Sequence, residues 1–385
     1  MNNNSKKKYL ITNYKKDGSK KGSKKESKKG SKKGSKKGSK KGSKNNKGYK
    51  KGYKKGYKNG GSKKGSKKGS KRIEYKGGNN NVNSNICAPG KKYEGESCLT
   101  LEALQELSHK YNSAIIMGLI KKDKILITDN KVELVKQLTE RLKDVCSDQL
   151  CWLKQSFAKE LKNKDDINNT FRPNGPSGRF TWLSTTNIDQ VIDQYHAIHK
   201  DFQFLGTVPM DFDKYNILGL RDISFDEIYN DGKTKLGIVF NTDNHNQGGT
   251  HWISLFADIS KHFKIYYFDS VARPPEDRVR DFVKKIAKWC YKKHYGIELE
   301  PDGKFMTPNK KNNYELKFDI RYNTKQHQYD DSECGVYCIN FITRMIRGIT
   351  FDEHNNTRIS DDEVNQCRNV YFRNGQSPNG TFDKC

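Results

Sequence analysis

The chain has 385 residues, with 74 Lys/Arg against 45 Asp/Glu and a formal charge of +29. It holds no run of about 18 apolar residues, so a membrane-spanning helix is not expected. Its N-terminus lacks the apolar core of a secretory signal, so secretion is not expected either.

The charge is unevenly placed. Residues 1–80 hold 31 Lys/Arg against 3 Asp/Glu, whereas the remainder holds 43 against 42. The basic stretch repeats Gly-Ser-Lys-Lys across residues 18–44, and tyrosine replaces serine in KGYKKGYK. So few apolar side chains cannot offset the entropy of ordering, and residues 1–80 read as a disordered tail extended by self-repulsion. Two roles fit it. One is a solubilising spacer. The other is a nonspecific nucleic-acid anchor, with lysines on phosphates and Tyr49, Tyr53 and Tyr57 offering faces to bases.

Residues 81–170 read as a helical unit. A turn-rich lead ends in LEALQELSHKYN, whose Leu101, Leu104 and Leu107 recur at helical spacing, with Ser97 and Thr100 as candidate caps. VELVKQLTERLKDV (132–145) and QLCWLKQSFAKEL supply two further amphipathic stretches. The Pro/Gly-rich FRPNGPSGRF (171–180) reads as a linker into a second domain, 171–385. There Thr185, Thr186 or Asn187 is expected to cap a helix starting near Ile188.

From residue 237 the pattern turns to strands: GIVFNTD (237–243), HWISLFADIS (251–260) and FKIYYFDS (263–270) are rich in β-branched and aromatic residues. RVRDFVKKIAKWCYKKHY (278–295) is an amphipathic helix, YELKFDIRY (314–322) a strand, and CGVYCINFITRMIRG (334–348) an apolar helix closed by Gly348. Strands and helices mix without regular alternation, which predicts an α+β fold.

The nine cysteines are an odd number. Without a secretory signal, a reduced chain is expected rather than a disulfide framework. Cys87, Cys98, Cys146 and Cys151 leave gaps of ten and four residues, a poor match to a zinc site. No metal or organic cofactor is expected.

The chemistry-bearing residues lie at strand ends and one helix start. A short hairpin near Lys261 and His262 would return the strand ending at Asp269 beside the one opening at His251. The carboxylate could then orient the imidazole. His245 is the rival base, six residues earlier. Cys334 opens a helix, where the dipole and free N–H groups favour a thiolate. Gln328, in the preceding loop, is the candidate oxyanion donor together with the Cys334 N–H, and Gln326 is its rival. Cys338, one turn after Cys334, reads as a core residue, with a resolving thiol as its second reading.

In the order His, Asp, Gln, Cys, the motifs GTHWISL, IYYFDS and QYDDSECGVYCINF resemble the ubiquitin-like-protease (SUMO protease) and adenovirus-protease clan of cysteine peptidases. The versions found in large DNA viruses are the most similar. The resemblance spans about 171–350 and implies a papain-like core in permuted order around a central, mostly antiparallel sheet. It implies His251, Asp269, Cys334 and Gln328 as catalytic residues and Trp252 as the wall of a narrow substrate tunnel. It further implies cleavage after small residues, in Gly-Gly or Ala-Gly contexts, of viral capsid or core precursors in the virion or host cytoplasm. A deconjugase acting on ubiquitin-like tails is the alternative, and a DNA-binding packaging protein the reading from another class. Residues 296–313 are extra against the family pattern, and Glu333 stands where the family has Asp.

Overall fold

A computed structural model describes residues 86–298, 306–308, 318–374 and 384–385. These all fall in one compact unit, 69–385. The expected tail 1–80 lies outside the described residues, as do residues 314–317 of the expected strand and most of the 296–313 insertion.

The N-terminal segment is helical, as the leucine spacing predicts. Helices α1 (Leu101–Ile116), α2 (Lys131–Leu142), α3 (Gln149–Lys154) and α4 (Lys164–Asn168) enclose a core containing Leu104, Leu107, Leu134 and Leu138. Of the two candidate caps, Thr100 serves α1, accepting from the Ala103 N–H at 3.2 Å. The stretch 171–180 opens as a packed strap rather than a free linker. Phe171 and Pro173 are buried, and the Gln194 amide donates to the Phe171 carbonyl at 2.6 Å.

Helix α5 (Thr185–Asp193) is capped one residue earlier than expected. Ser184 accepts from the Asn187 N–H, and Asn187 reaches back to the Ser184 N–H, which satisfies two orphan donors at once.

Six strands follow: β1 (Phe202–Val208), β2 (Lys235–Asn241), β3 (Trp252–Asp258), β4 (Lys264–Phe268), β5 (Thr307–Pro308) and β6 (Asp319–Tyr322). Helix α6 (Phe225–Asn230) lies between β1 and β2, and α7 (Asp277–Tyr295) between β4 and β5. The sheet order is β1-β2-β3-β4-β6-β5. Its β2–β3 and β3–β4 pairs are antiparallel, while β1–β2, β4–β6 and β5–β6 are parallel. The sheet is therefore mixed, which corrects the mostly antiparallel expectation. The β3–β4 connection is short, and β2 joins β3 through the longer loop 242–251. Segments carrying α6 and α7 lie between β1 and β2 and between β4 and β5, so the chain crosses over and returns in the same direction.

The central strands are covered on both faces, so they read as continuous apolar runs. Trp252 and Phe256 of β3 face helix α8 (Cys334–Ile346), whereas Ile253, Leu255 and Ala257 face α6 and α7. Every residue of α8 is buried, and Gly348, at φ +87°, follows its end. The polar residues of α8 find partners: Asn340 donates to the Lys384 carbonyl at 2.7 Å and Thr343 to the Ile339 carbonyl at 2.9 Å. Short helices α9 (Phe351–Asn356), α10 (Asp361–Gln366) and α11 (Arg368–Tyr371) complete the layer over α8.

Six of the nine cysteines form disulfides, Cys87–Cys98, Cys146–Cys151 and Cys367–Cys385. The reduced-chain expectation is thus corrected. The four cysteines weighed as zinc ligands are two of these pairs, brought within bonding reach by local turns that spacing alone does not reveal. Cys290, Cys334 and Cys338 remain free thiols. Among the described residues no helix is long and apolar enough to cross a membrane, and no cluster could hold a metal ion.

Candidate active site

The β3–β4 hairpin sets the first juxtaposition. Its register pairs Ser254 with Phe268, so the residue before β3 and the residue after β4 come side by side at one sheet edge. There His251 Nε2 meets Asp269 Oδ1 at 2.7 Å. The carboxylate is held from several sides. Oδ1 also accepts from the Val271 N–H at 2.9 Å, and Oδ2 from the Arg273 N–H at 3.2 Å. The Asp269 main chain is locked in turn by Asn323, which accepts from its N–H at 2.9 Å and donates to its carbonyl at 2.7 Å. Because Nε2 faces the carboxylate, Nδ1 is the ring atom left for another partner.

Cys334, the first residue of α8, lies close enough to the His251 side chain to act on its charge. Burial alone pushes the His251 pKa down. The hydrogen bonds to Asp269 and Cys334, and the charges on both, outweigh it and raise the value to about 9. The imidazole is therefore on its protonated side at neutral pH. As the first helical residue, Cys334 also has a backbone N–H without an intrahelical acceptor. Burial drives the thiols of Cys338 and Cys290 upward, away from ionisation.

Gly335 follows for a steric reason. A Cβ there would lie 3.0 Å from Leu183 Cβ and 3.2 Å from Trp252 Cδ1. Glycine lets the helix start approach Leu183 and Trp252, both of which line the cleft described below.

Gln328 is buried and its amide is oriented by its neighbours. Ser270 donates its hydroxyl to Gln328 Oε1 at 2.6 Å, and the Ser270 carbonyl accepts from the His327 and Gln328 N–H groups at 2.8 and 2.9 Å. With Oε1 occupied, the amide nitrogen points the other way and spends one N–H on the Asp330 carbonyl at 2.7 Å. Among the described residues its second N–H makes no hydrogen bond. The rival Gln326 is spent on structure, donating to the Gln328 carbonyl at 2.7 Å.

A cleft of about 600 Å³ opens beside Trp252. Trp182, Leu183, Ile217, His245 and Gly249 line it with Trp252, whose indole N–H donates to the Leu183 carbonyl at 3.0 Å. The structure separates the two histidines: His245 Nδ1 is paired with Asp211 at 2.7 Å, inside this cleft and apart from Asp269.

Sequence reading missed several supports. Ser270 and Asn323 are buried polar residues that orient Gln328 and Asp269. Glu333, fully buried before Cys334, accepts from the Ser332 N–H at 2.9 Å and from Asn365. Burial pushes the Arg368 pKa down, and the nearby charges of Glu333 and Cys334 offset this only in part. Trp182 is the one with a usable signal, an aromatic two residues before the α5 cap Ser184.

Residues 236–377 match the Ulp1 protease family, C-terminal catalytic domain. A provisionally assigned thiol protease of Acanthamoeba polyphaga mimivirus is 35% identical over 308 residues, covering 76% of this chain and 95% of that protein. The SUMO-1 cysteine protease of an African swine fever virus isolate is 22% identical over 271 residues, covering 66% of this chain and 92% of that protein. The crystal structure of the African swine fever virus pS273R protease has the same fold. It superposes with a TM-score of 0.50 at 21% identity, over 66% of this chain and 92% of that one.

Proposed function

Because the chain belongs to the Ulp1 protease family, we propose that it is a cysteine endopeptidase working through Cys334, His251, Asp269 and Gln328. The observation that carries this reading is the chain of contacts Asp269–His251–Cys334 at the start of a buried helix. The Cys334 thiolate attacks the acyl carbon, and His251 Nδ1–H then protonates the leaving amine. Asp269 fixes the ring and compensates its charge throughout. The free Gln328 N–H and the Cys334 N–H receive the developing oxyanion. Water, deprotonated by neutral His251, releases the acyl group and restores the thiolate–imidazolium pair.

The cleft between Trp182 and Trp252 fits an extended peptide ending in glycine before the scissile bond, since a Cβ would meet the indole wall. The substrate class is a structural precursor protein of the virus, cut in Gly-Gly or Ala-Gly contexts during particle maturation. The relatives named above are viral proteins, which supports a viral substrate, while the SUMO-1 protease name of one of them supports deconjugation of ubiquitin-like tails as the second reading. The test is turnover of a Gly-Gly peptide carrying a fluorogenic leaving group, followed by digestion of precursor protein and of a ubiquitin-like fusion. Cleavage at internal sites of the precursor supports the proposal. Cleavage of only the ubiquitin-like tail assigns the alternative, and turnover that persists in Cys334→Ala overturns the mechanism.

A further inference from the structure

A second cavity near the α5 helix lies apart from the cleft beside Trp252. It measures about 840 Å³ and lies where α3 and α4, the strap at 171–174, the end of α5 and Arg373 meet. Its charged lining is Lys91, Lys154, Lys164, Arg172 and Arg373, against Asp193 as the one carboxylate among the described residues.

Among the described residues none of these five cations forms an ion pair, and the two arginines are tied to backbone carbonyls instead. Arg172 uses Nε to donate to the Cys87 carbonyl at 2.8 Å, and Arg373 uses Nη1 to donate to the Arg172 carbonyl at 2.8 Å. Among the described residues neither guanidinium has a carboxylate within ion-pair distance. Burial pushes both pKa values down, and Asp148 offsets this only in part for Arg373. A partly buried guanidinium normally finds an acidic partner, because desolvating a charge without one is costly.

The site is also held in shape. Cys87 is disulfide-bonded to Cys98, the Arg172 N–H donates to the Ile86 carbonyl at 2.8 Å, and the Arg373 N–H donates to Pro173 at 3.1 Å. The remaining guanidinium N–H groups keep the forked geometry that matches phosphate oxygens. The volume suits a ligand of nucleotide size.

We propose that this cavity binds a small, multiply phosphorylated anion, which braces the N-terminal helices against α5. Arg172 and Arg373 form the floor, and the three lysines close over the ligand from the helical side. The site also bears on the catalytic cleft. The opposite end of α5 follows Leu183, whose carbonyl holds the Trp252 indole.

The test uses the full chain with tripolyphosphate as probe, read by calorimetry and by thermal melting in physiological salt. Residues 1–80 carry enough lysine to attract the probe too, so the comparison is charge-matched. Lys154→Glu with Lys164→Glu is set against Lys32→Glu with Lys33→Glu. Arg373→Gln, checked for an unchanged circular dichroism spectrum, is the third variant. The expected result is a probe-dependent rise in the wild-type melting temperature. Binding should weaken about tenfold or more in the cavity variants, from the loss of charge-assisted hydrogen bonds, and stay within about twofold in the tail variant. Adenosine triphosphate binding like tripolyphosphate assigns recognition to the phosphate chain, and tighter binding assigns a nucleotide. Equal weakening in the cavity and tail variants, or no rise in melting temperature, overturns the proposal. So does a hexaglutamate peptide that binds as tightly as tripolyphosphate, because it points to an acidic protein partner.

Discussion

Replacing Asp269 with asparagine tests the electrostatic part of the account with little change of shape. An asparagine oxygen placed at Oδ1 retains the contacts with His251 at 2.7 Å and Val271 at 2.9 Å. Its NH2 group then faces the Arg273 N–H and loses that weaker contact of 3.2 Å. The larger change is the missing charge. His251 stands at about 9, and the distance from the ordinary value near 6.5 corresponds to about 3 kcal/mol. That stabilisation is shared between Asp269 and Cys334. Taking about half for Asp269 moves the imidazolium pKa down by roughly one unit. The loss in kcat/KM should then be about tenfold near pH 7, from poorer orientation, and grow by a further factor of about ten toward pH 10 as the variant loses its imidazolium first. The assay is a kcat/KM profile on the Gly-Gly peptide from pH 5 to 10. A loss that is uniform across pH, with the alkaline limb unmoved, would refute the claim that Asp269 holds the charge on His251. The same shift governs stability. The folded pKa of His251 lies above its unfolded value, so the contribution is complete below about pH 6.5 and is lost as pH rises through about 9.

Gln328→Ala should lower kcat by about 10²–10³ with KM nearly unchanged, as removal of one oxyanion donor does; steady-state kinetics on the same peptide checks it. Gly335→Ala inserts a methyl 3.0 Å from Leu183 and 3.2 Å from Trp252. It should cost about 1–3 kcal/mol in chemical denaturation and impair turnover as the cleft wall shifts. His245→Ala, which removes a cleft-lining ring paired with Asp211 and not with Asp269, should raise KM while leaving kcat within about threefold; a collapse of kcat would reassign the base.

The site was legible because its chemistry sits at element boundaries that periodicity marks. The β3 and β4 runs, joined by a short turn, place His251 beside Asp269, and the apolar helix beginning at Cys334 is visible in CGVYCINF. Parallel pairing of β1 with β2 and of β4 with β6 left no such mark, since it depends on crossover segments and not on strand composition. The disulfides were hidden for a related reason. Pairing needs Cα atoms about 5–6 Å apart, and Cys367 and Cys385 reach 5.5 Å only once the chain end lies on α8. The supports Ser270, Asn323 and Glu333 were invisible because a buried polar residue looks like a loop residue until its partners are placed.

The central claim is that one thiol, activated by His251, does the chemistry. The most direct measurement is labelling of the full chain with a Gly-Gly vinyl-sulfone probe, followed by mass mapping of the modified peptide in wild type and in His251→Ala. The account predicts a single adduct on Cys334 in the wild type and a loss of labelling rate of at least about 10²-fold in His251→Ala. Labelling at Cys290 or Cys338, or at Cys334 with undiminished rate in the variant, would contradict it.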